Sequence, residues 1–240
     1  MEIPFQQRLR LLIRRIAMPN PTNVKDAQPS MILYDDHGPA TPRLLDLAIG
    51  AIQHARTEDL SAISARMSTA PRWPDIWPGE HYKLLAGIVK VLQPQRIIEV
   101  GTYQGLSAIT MAKHLPQGAR LYTYDITPYE QIPGHIMLPS DFAGDRIVQI
   151  IADLAERSSF EANREILESA DLVFVDASKD GVFEQVLLDR FETLRFRRPP
   201  IVVFDDIRLW NMLGIWRRVT RHKLDLTSFG HWSGTGLVDW

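Results

Sequence analysis

The 240-residue chain has no cysteine, which excludes disulfides, thiol nucleophiles and cysteine-based zinc sites together and leaves the redox compartment open. It also lacks an excess of charge: 27 basic against 29 acidic residues give a net charge of −2. No general attraction to nucleic acid follows, and the basic run RFRRPP at 195–200 would have to act alone as a local patch; no nucleic-acid partner is expected. No apolar run approaches the roughly 20 residues that span a bilayer, and the N-terminus shows neither the apolar core nor the cleavage site of a signal peptide. A cytoplasmic protein without stable membrane insertion is therefore expected. What is present is ordinary for a soluble globule: 45% hydrophobic and 23% charged residues.

The segment FQQRLRLLIRRIAM carries Phe5, Leu9, Leu12 and Ile16 on one helical face and arginines on the others. Such a basic amphipathic helix packs on the domain or on a second subunit of a homodimer; the competing reading is an anionic membrane surface. Residues 19–40 read as loop. Thr41-Pro42 supplies an N-cap and a first-turn proline for a helix to about Arg56, and a short helix follows over about 57–67. From residue 80 strands alternate with helices, as parallel strands joined by crossovers do. Strands are expected at about 96–100, 121–125, 147–151, 171–176 and 200–205, and helices at about 80–92, 105–115, 160–169, 181–194 and 209–221. KLDLTSF and GTGLVDW, separated by glycines and a serine, should pair as an antiparallel hairpin. The expected fold is α/β: a Rossmann-like, doubly wound, mostly parallel sheet with a C-terminal antiparallel hairpin and an N-terminal helical addition. Residues 1–75 would form that extension or lid, and 76–240 the ligand-binding domain.

The stretch RIIEVGTYQGLSA, residues 96–108, runs from an apolar strand through Gly101 and Gly105 into a helix. Residues without a Cβ let the backbone approach a ligand, and the helix N-terminus favours an anionic group. The dinucleotide fingerprint Gly-x-Gly-x-x-Gly is missing, and Tyr103 stands where a pyrophosphate cradle needs a small residue. Ligands of doubly wound sheets bind at the carboxyl ends of the strands, and carboxylates end nearly every strand here: Glu99, Asp125, Asp153, Asp176 and the pair Asp205-Asp206. Asp125 follows the second strand and suits both hydroxyls of a ribose; Asp153 suits an adenine amine. Each alone could also be a helix or turn cap. Asp176, Asp205 and Asp206 share one rim, where three carboxylates repel unless a cation lies between them; Mg2+ or another hard divalent cation meets that need.

The glycine motif resembles the first motif of class I S-adenosylmethionine-dependent methyltransferases. The run from EHYKLLAGIVKVLQPQRIIEVGTYQGLSAITMAKHL through FVDASKD to VVFDDIRLW is similar to the catechol and caffeoyl-CoA O-methyltransferase group, over most of residues 75–210. The resemblance implies cofactor contacts at Glu99, Gly101, Thr102, Gly105, Ser107, Asp125, Asp153 and Asp176, with Glu80 near the cofactor's amino-acid end and His81 and Tyr82 as weaker candidates. It implies metal ligands at Asp176, Asp205 and Asp206, and a general base at Lys179, whose competing reading is an ion pair with Asp176 or Asp180. Asp206 departs from the family, which usually has Asn there; an Asp retains the oxygen ligand and adds a charge, as in some sugar-tailoring relatives. The implied function is metal-dependent transfer of a methyl group to a hydroxyl of a small molecule or sugar. The alternatives are an NAD-dependent oxidoreductase and a nonenzymatic binding protein that keeps the fold. Residues 126–145 form a Pro-rich loop beside the site and are expected to act as a lid; Trp73, Trp77, His231 and Trp232 are candidates to face the acceptor.

Overall fold

The structure, a computed structural model, describes residues 39–68, 72–75 and 80–240. The helix expected near residues 5–18, most of the loop at 19–40, and Trp77 lie outside them. Five strands, β1 (Arg96–Val100), β2 (Arg120–Asp125), β3 (Ile147–Ile151), β4 (Leu172–Val175) and β5 (Ile201–Asp205), run parallel. They are joined by β6 (Lys223–Asp225) and β7 (Thr235–Asp239), and the order across the sheet is β3-β2-β1-β4-β5-β7-β6. β7 is antiparallel to both neighbours, with Asp205 opposite Thr235. The chain therefore starts in the middle, winds outward to β3 and returns beside β1 as β4. That reversal leaves a crevice above the strand ends.

Successive strand residues point to opposite faces, and both faces are covered. Ile97, Leu121, Phe174 and Val203 pack toward helices α1 (Pro42–Ala55), α3 (Glu80–Leu92) and α4 (Leu106–Ala112). Ile98, Val173, Val202 and Phe204 pack among Phe160, Leu187, Phe191, Ile215 and Trp216, which α5 (Arg157–Ala162), α7 (Phe183–Phe191) and α8 (Met212–Arg218) bring to the other face. Strands buried on both sides tend to be continuous apolar runs, which is why β4 and β5 stand out in the sequence. α1 begins as expected: the Thr41 hydroxyl accepts the Leu44 N–H at 3.2 Å, and Pro42 opens the first turn. Its Leu44, Leu47, Ala48 and Ala51 belong to the same core as α3 and the sheet.

Helix lengths depart from expectation more than strands do. The helix expected over 57–67 is the single turn α2 (Ser61–Ser64), and 181–194 and 209–221 shorten to α7 and α8. The 160–169 helix divides into α5 and α6 (Arg164–Glu168) at Asn163, whose side-chain amide donates back to the Ser159 carbonyl; such a local bond competes with the helical ladder. The expected lid at 126–145 is pinned: Ile136 and Met137 are buried, Tyr129 stacks on Phe142 at 5.0 Å, and Asp141 pairs with Arg66 at 2.6 Å.

Candidate active site at the strand ends

One cavity of about 640 Å³ lies over the carboxyl ends of β1 to β5. Gly101, Thr102, Gly105 and Ser107 line it from the β1–α4 turn, and Asp125 and Asp153 from the ends of β2 and β3. Asp176, Lys179, Asp205 and Asp206 line the opposite side. Glu99 is not on the wall; it is fully buried within β1. The glycines serve a different neighbour from the one expected. A Cβ on Gly101 would lie 1.8 Å from the Asp176 carbonyl oxygen, and one on Gly105 would lie 2.1 Å from the Met137 side chain. Both have positive φ. They let protein segments close around the cavity, and only in that way shape the space for a ligand.

The carboxylates of β2 and β3 are held by backbone amides. Asp125 accepts the N–H groups of Thr102 at 3.0 Å and Tyr103 at 2.9 Å on one oxygen, and that of Thr127 at 3.0 Å on the other. Asp153 accepts the Ala155 N–H at 2.7 Å. The end of β2 thus fixes the β1–α4 turn through a carboxylate that also lines the cavity. Glu99 behaves differently. Burial, aided by repulsion from Asp176 and Asp125, pushes its pKa up to about 8, and the nearby Ser107 and Thr123 hydroxyls only moderate the rise. Neither of its oxygens reaches a partner with hydrogen-bonding geometry.

The opposite side is an acidic rim closed around one ammonium. Lys179 Nζ lies 2.8 Å from Asp176 and 3.9 Å from Asp205, and also contacts Asp206. Burial opposes the lysine's charge, but Asp176, Asp206 and Asp205 outweigh it and raise its pKa above the ordinary value. The turn that carries the lysine is braced from below. Buried Glu184 accepts the Lys179 N–H at 2.6 Å and the Gly181 N–H at 2.9 Å, holding Lys179 at φ 59°, a conformation rare outside glycine. Asp180 caps the N–H groups of Val182 and Phe183, and among the described residues the ion pairs of Lys179 run to Asp176, Asp205 and Asp206 instead. Burial and repulsion from Asp176 and Asp206 push the Asp205 pKa well up. Burial does the same to Asp206, but hydrogen bonds from His231, Lys179 and Ser233 overcome it and hold that group low.

The antiparallel pairing of β5 with β7 brings the preceding turn to this rim. His231 Nδ1 lies 3.3 Å from Asp206, and the Ser233 hydroxyl contacts both. Buried His81 in α3 places Nδ1 3.2 Å from the Thr235 hydroxyl and 3.6 Å from Asp205; burial and the charge of His231 push its pKa down to about 3, so it is neutral. Tyr82, Trp73 and Trp232 line the cavity, the tryptophans 43% and 63% exposed at its mouth. Glu80 heads α3, and its side chain lies outside the described residues. Ser233, Thr235, Glu184 and the apolar wall of Leu154, Phe183 and Leu209 were not singled out in the sequence. Pairing the C-terminal hairpin against β5 would have pointed to the first two.

Comparison with known proteins places this geometry. Catechol O-methyltransferase of Mus musculus is 28% identical over 142 residues, 57% of this chain and 52% of that protein. Catechol O-methyltransferase B of Danio rerio is 32% identical over 98 residues, 40% of this chain and 37% of that protein. The chain spans about half the length of the curated relatives it matches. Among solved structures, a methyltransferase from Geobacter sulfurreducens superposes with a TM-score of 0.54 at 17% identity, covering 79% of this chain and 93% of that one. A Podospora anserina methyltransferase solved with SAH bound gives 0.50 at 17% identity, covering 100% and 98%. These similarities show the fold. The family model described as O-methyltransferase matches residues 53–214, the stretch that builds the cavity wall from α3 through the acidic rim, and the chain belongs to that family.

Proposed function

We propose that the protein transfers a methyl group from S-adenosylmethionine to a hydroxyl of a small molecule or sugar, with Mg2+ or another divalent cation at the rim. The observation that carries this reading is the division of one cavity: amide-fixed carboxylates on β2 and β3, and three carboxylates crowded around a single cation on β4 and β5. The acidic side fits a metal ion. Asp205 is 5% exposed, its Oδ1 has no hydrogen-bond partner, and the carboxylates already gather the positive charge within reach. Asp176, Asp205 and Asp206 would hold the ion; Asp125 would accept from the ribose hydroxyls and Asp153 from the adenine amine.

S-adenosylmethionine, when bound, supplies a sulfonium methyl whose C–S bond breaks as a bond to the acceptor oxygen forms. A divalent ion, when bound, supplies Lewis acidity that lowers the pKa of the acceptor hydroxyl. The protein contributes orientation, exclusion of water by Trp73 and Trp232 at the mouth, and a place for the proton. Lys179 holds a proton at Nζ while the carboxylates surround it; it can accept the hydroxyl proton only once their charge is otherwise neutralised. Trp73 would face the acceptor side, with residues 76–240 binding the cofactor. The protein would act as a homodimer. Among the described residues no helix is long and apolar enough to cross a membrane; the enzyme would act in the cytoplasm.

Calorimetry with S-adenosylmethionine and with NADH, followed by a methyl-acceptor screen of catechols, vicinal diols and glycosides, tests the reading. Saturable binding of the first and a methylated product are expected. Tight binding of NADH in its place would sink the assignment.

A further inference from the structure

Resting on the metal reading above, we propose that His231 is a nitrogen ligand to the rim cation, making a mixed carboxylate–imidazole centre that favours first-row transition ions such as Mn2+ and Co2+ over Mg2+. Ligand atoms of Asp205, Asp206 and His231 all lie within 4.8 Å of one another. Bonds of about 2.0–2.4 Å from each to a common ion span separations of that size. A second indication concerns the state of one of these donors: Asp205 is 5% exposed and its Oδ1 has no hydrogen-bond partner, His81 Nδ1 standing off at 3.6 Å.

The turn before β7 fixes the imidazole. The Ser233 hydroxyl has one proton to give and contacts both Asp206 Oδ1 and His231 Nδ1, so it orients the two donors toward each other, as outer-shell partners of metal ligands do. His81, neutral and held by Thr235, stands 5.0 Å from His231 between ring centroids; it backs the site through Asp205 and is a positioning residue. An all-oxygen site suits Mg2+, whereas imidazole suits the later divalent metals. Because such sites favour transition ions over Mg2+ in any case, the decisive quantity is how much of the preference depends on His231.

Pulsed electron paramagnetic resonance of the full-length protein loaded with Mn2+ tests the bond directly. Nitrogen hyperfine coupling is expected in the native protein and in His81→Gln, and absent in His231→Gln. Titration calorimetry with Co2+ and Mg2+ alone should show Co2+ affinity falling in His231→Gln at least as far as the roughly 10–100-fold that loss of an outer-shell partner costs, with a much smaller change for Mg2+. Mn2+ bound without nitrogen coupling, or equal losses for both metals, would overturn the histidine ligand and leave the metal site standing. Failure of the native protein to bind any of the three ions would overturn both. Should His231→Gln not fold, a native spectrum without nitrogen coupling still overturns the proposal, and coupling that persists in His81→Gln still supports it.

Discussion

The two sides of the cavity solve the same problem in different ways. On the β2 and β3 side, negative charge is met by peptide N–H groups: Asp125 takes three and Asp153 one. On the β4 and β5 side, Asp176, Asp205 and Asp206 share the ammonium of Lys179. Amides are fixed by the fold and cannot leave, whereas a lysine at the end of a four-carbon stem can. The first side is preorganised for a ligand that arrives and departs intact. The second is built to exchange one positive charge for another.

The sharpest way to break this comparison is to remove the cation from one side only. Chelator should abolish methyl transfer while the calorimetric affinity for S-adenosylmethionine stays unchanged, and Asp205→Ala should reproduce that pattern more severely than Asp176→Ala. Full turnover in excess chelator would show that the two sides do not differ in the way described. Next in size, Lys179→Ala should lower kcat by about 10²- to 10⁴-fold if the lysine accepts the proton. Lys179→Arg keeps the charge but cannot give up its own proton near neutral pH, so an active Arg variant would reduce Lys179 to a counterion.

On the amide-bound side, Asp125→Ala removes a charged acceptor and frees the β1–α4 turn. Charged hydrogen bonds contribute roughly 1.5–3 kcal/mol, so cofactor affinity should fall by about one to two orders of magnitude, with metal affinity untouched; a parallel loss of metal binding would merge the two sides into one. The last expectation concerns stability rather than binding or turnover. Glu99 has a folded pKa of about 8 against an ordinary 4.5, so the folded state binds the extra proton between those values. The stability this contributes is fully present below pH 4.5, declines as the pH rises toward 8, and is gone above it. Thermal melts of the ligand-free protein should show that decline, and Glu99→Gln should flatten it by on the order of 3–5 kcal/mol. Identical slopes for the two proteins would mean that Glu99 is solvated or paired.

The parts legible in the sequence are those where one local rule decides the outcome. Parallel strands buried on both faces favour apolar residues, so β4 and β5 appear as nearly uninterrupted runs, and the acids that follow or end them stand out against that background. The helix breaks were less visible because they depend on competition: the Asn163 side chain against the backbone ladder, or the turn chemistry around Ser61. The glycines were found for an incomplete reason, since the atoms crowding them come from Asp176 and Met137, 75 and 32 positions along the chain. The link from Asp206 through Ser233 to His231 is harder still. It exists only because β7 inserts beside β5, and no local pattern encodes that register.

That insertion has a consequence for the order in which the protein is made. β7 is an interior strand, and Trp240 next to it packs on Phe191 and Phe196 and under Arg221 at 4.2 Å. While residues 235–240 remain inside the ribosome, β5 is an open edge with unpaired backbone groups, and the rim lacks its histidine and serine. At synthesis rates of about 5–20 residues per second, the parallel strands β1 to β4 can begin to assemble before this strand emerges, whereas β6, whose neighbour in the sheet is β7, cannot join. The site is completed last, and a nascent chain stalled in the preceding turn would present an adhesive β-edge and an unfinished acidic cluster to its surroundings.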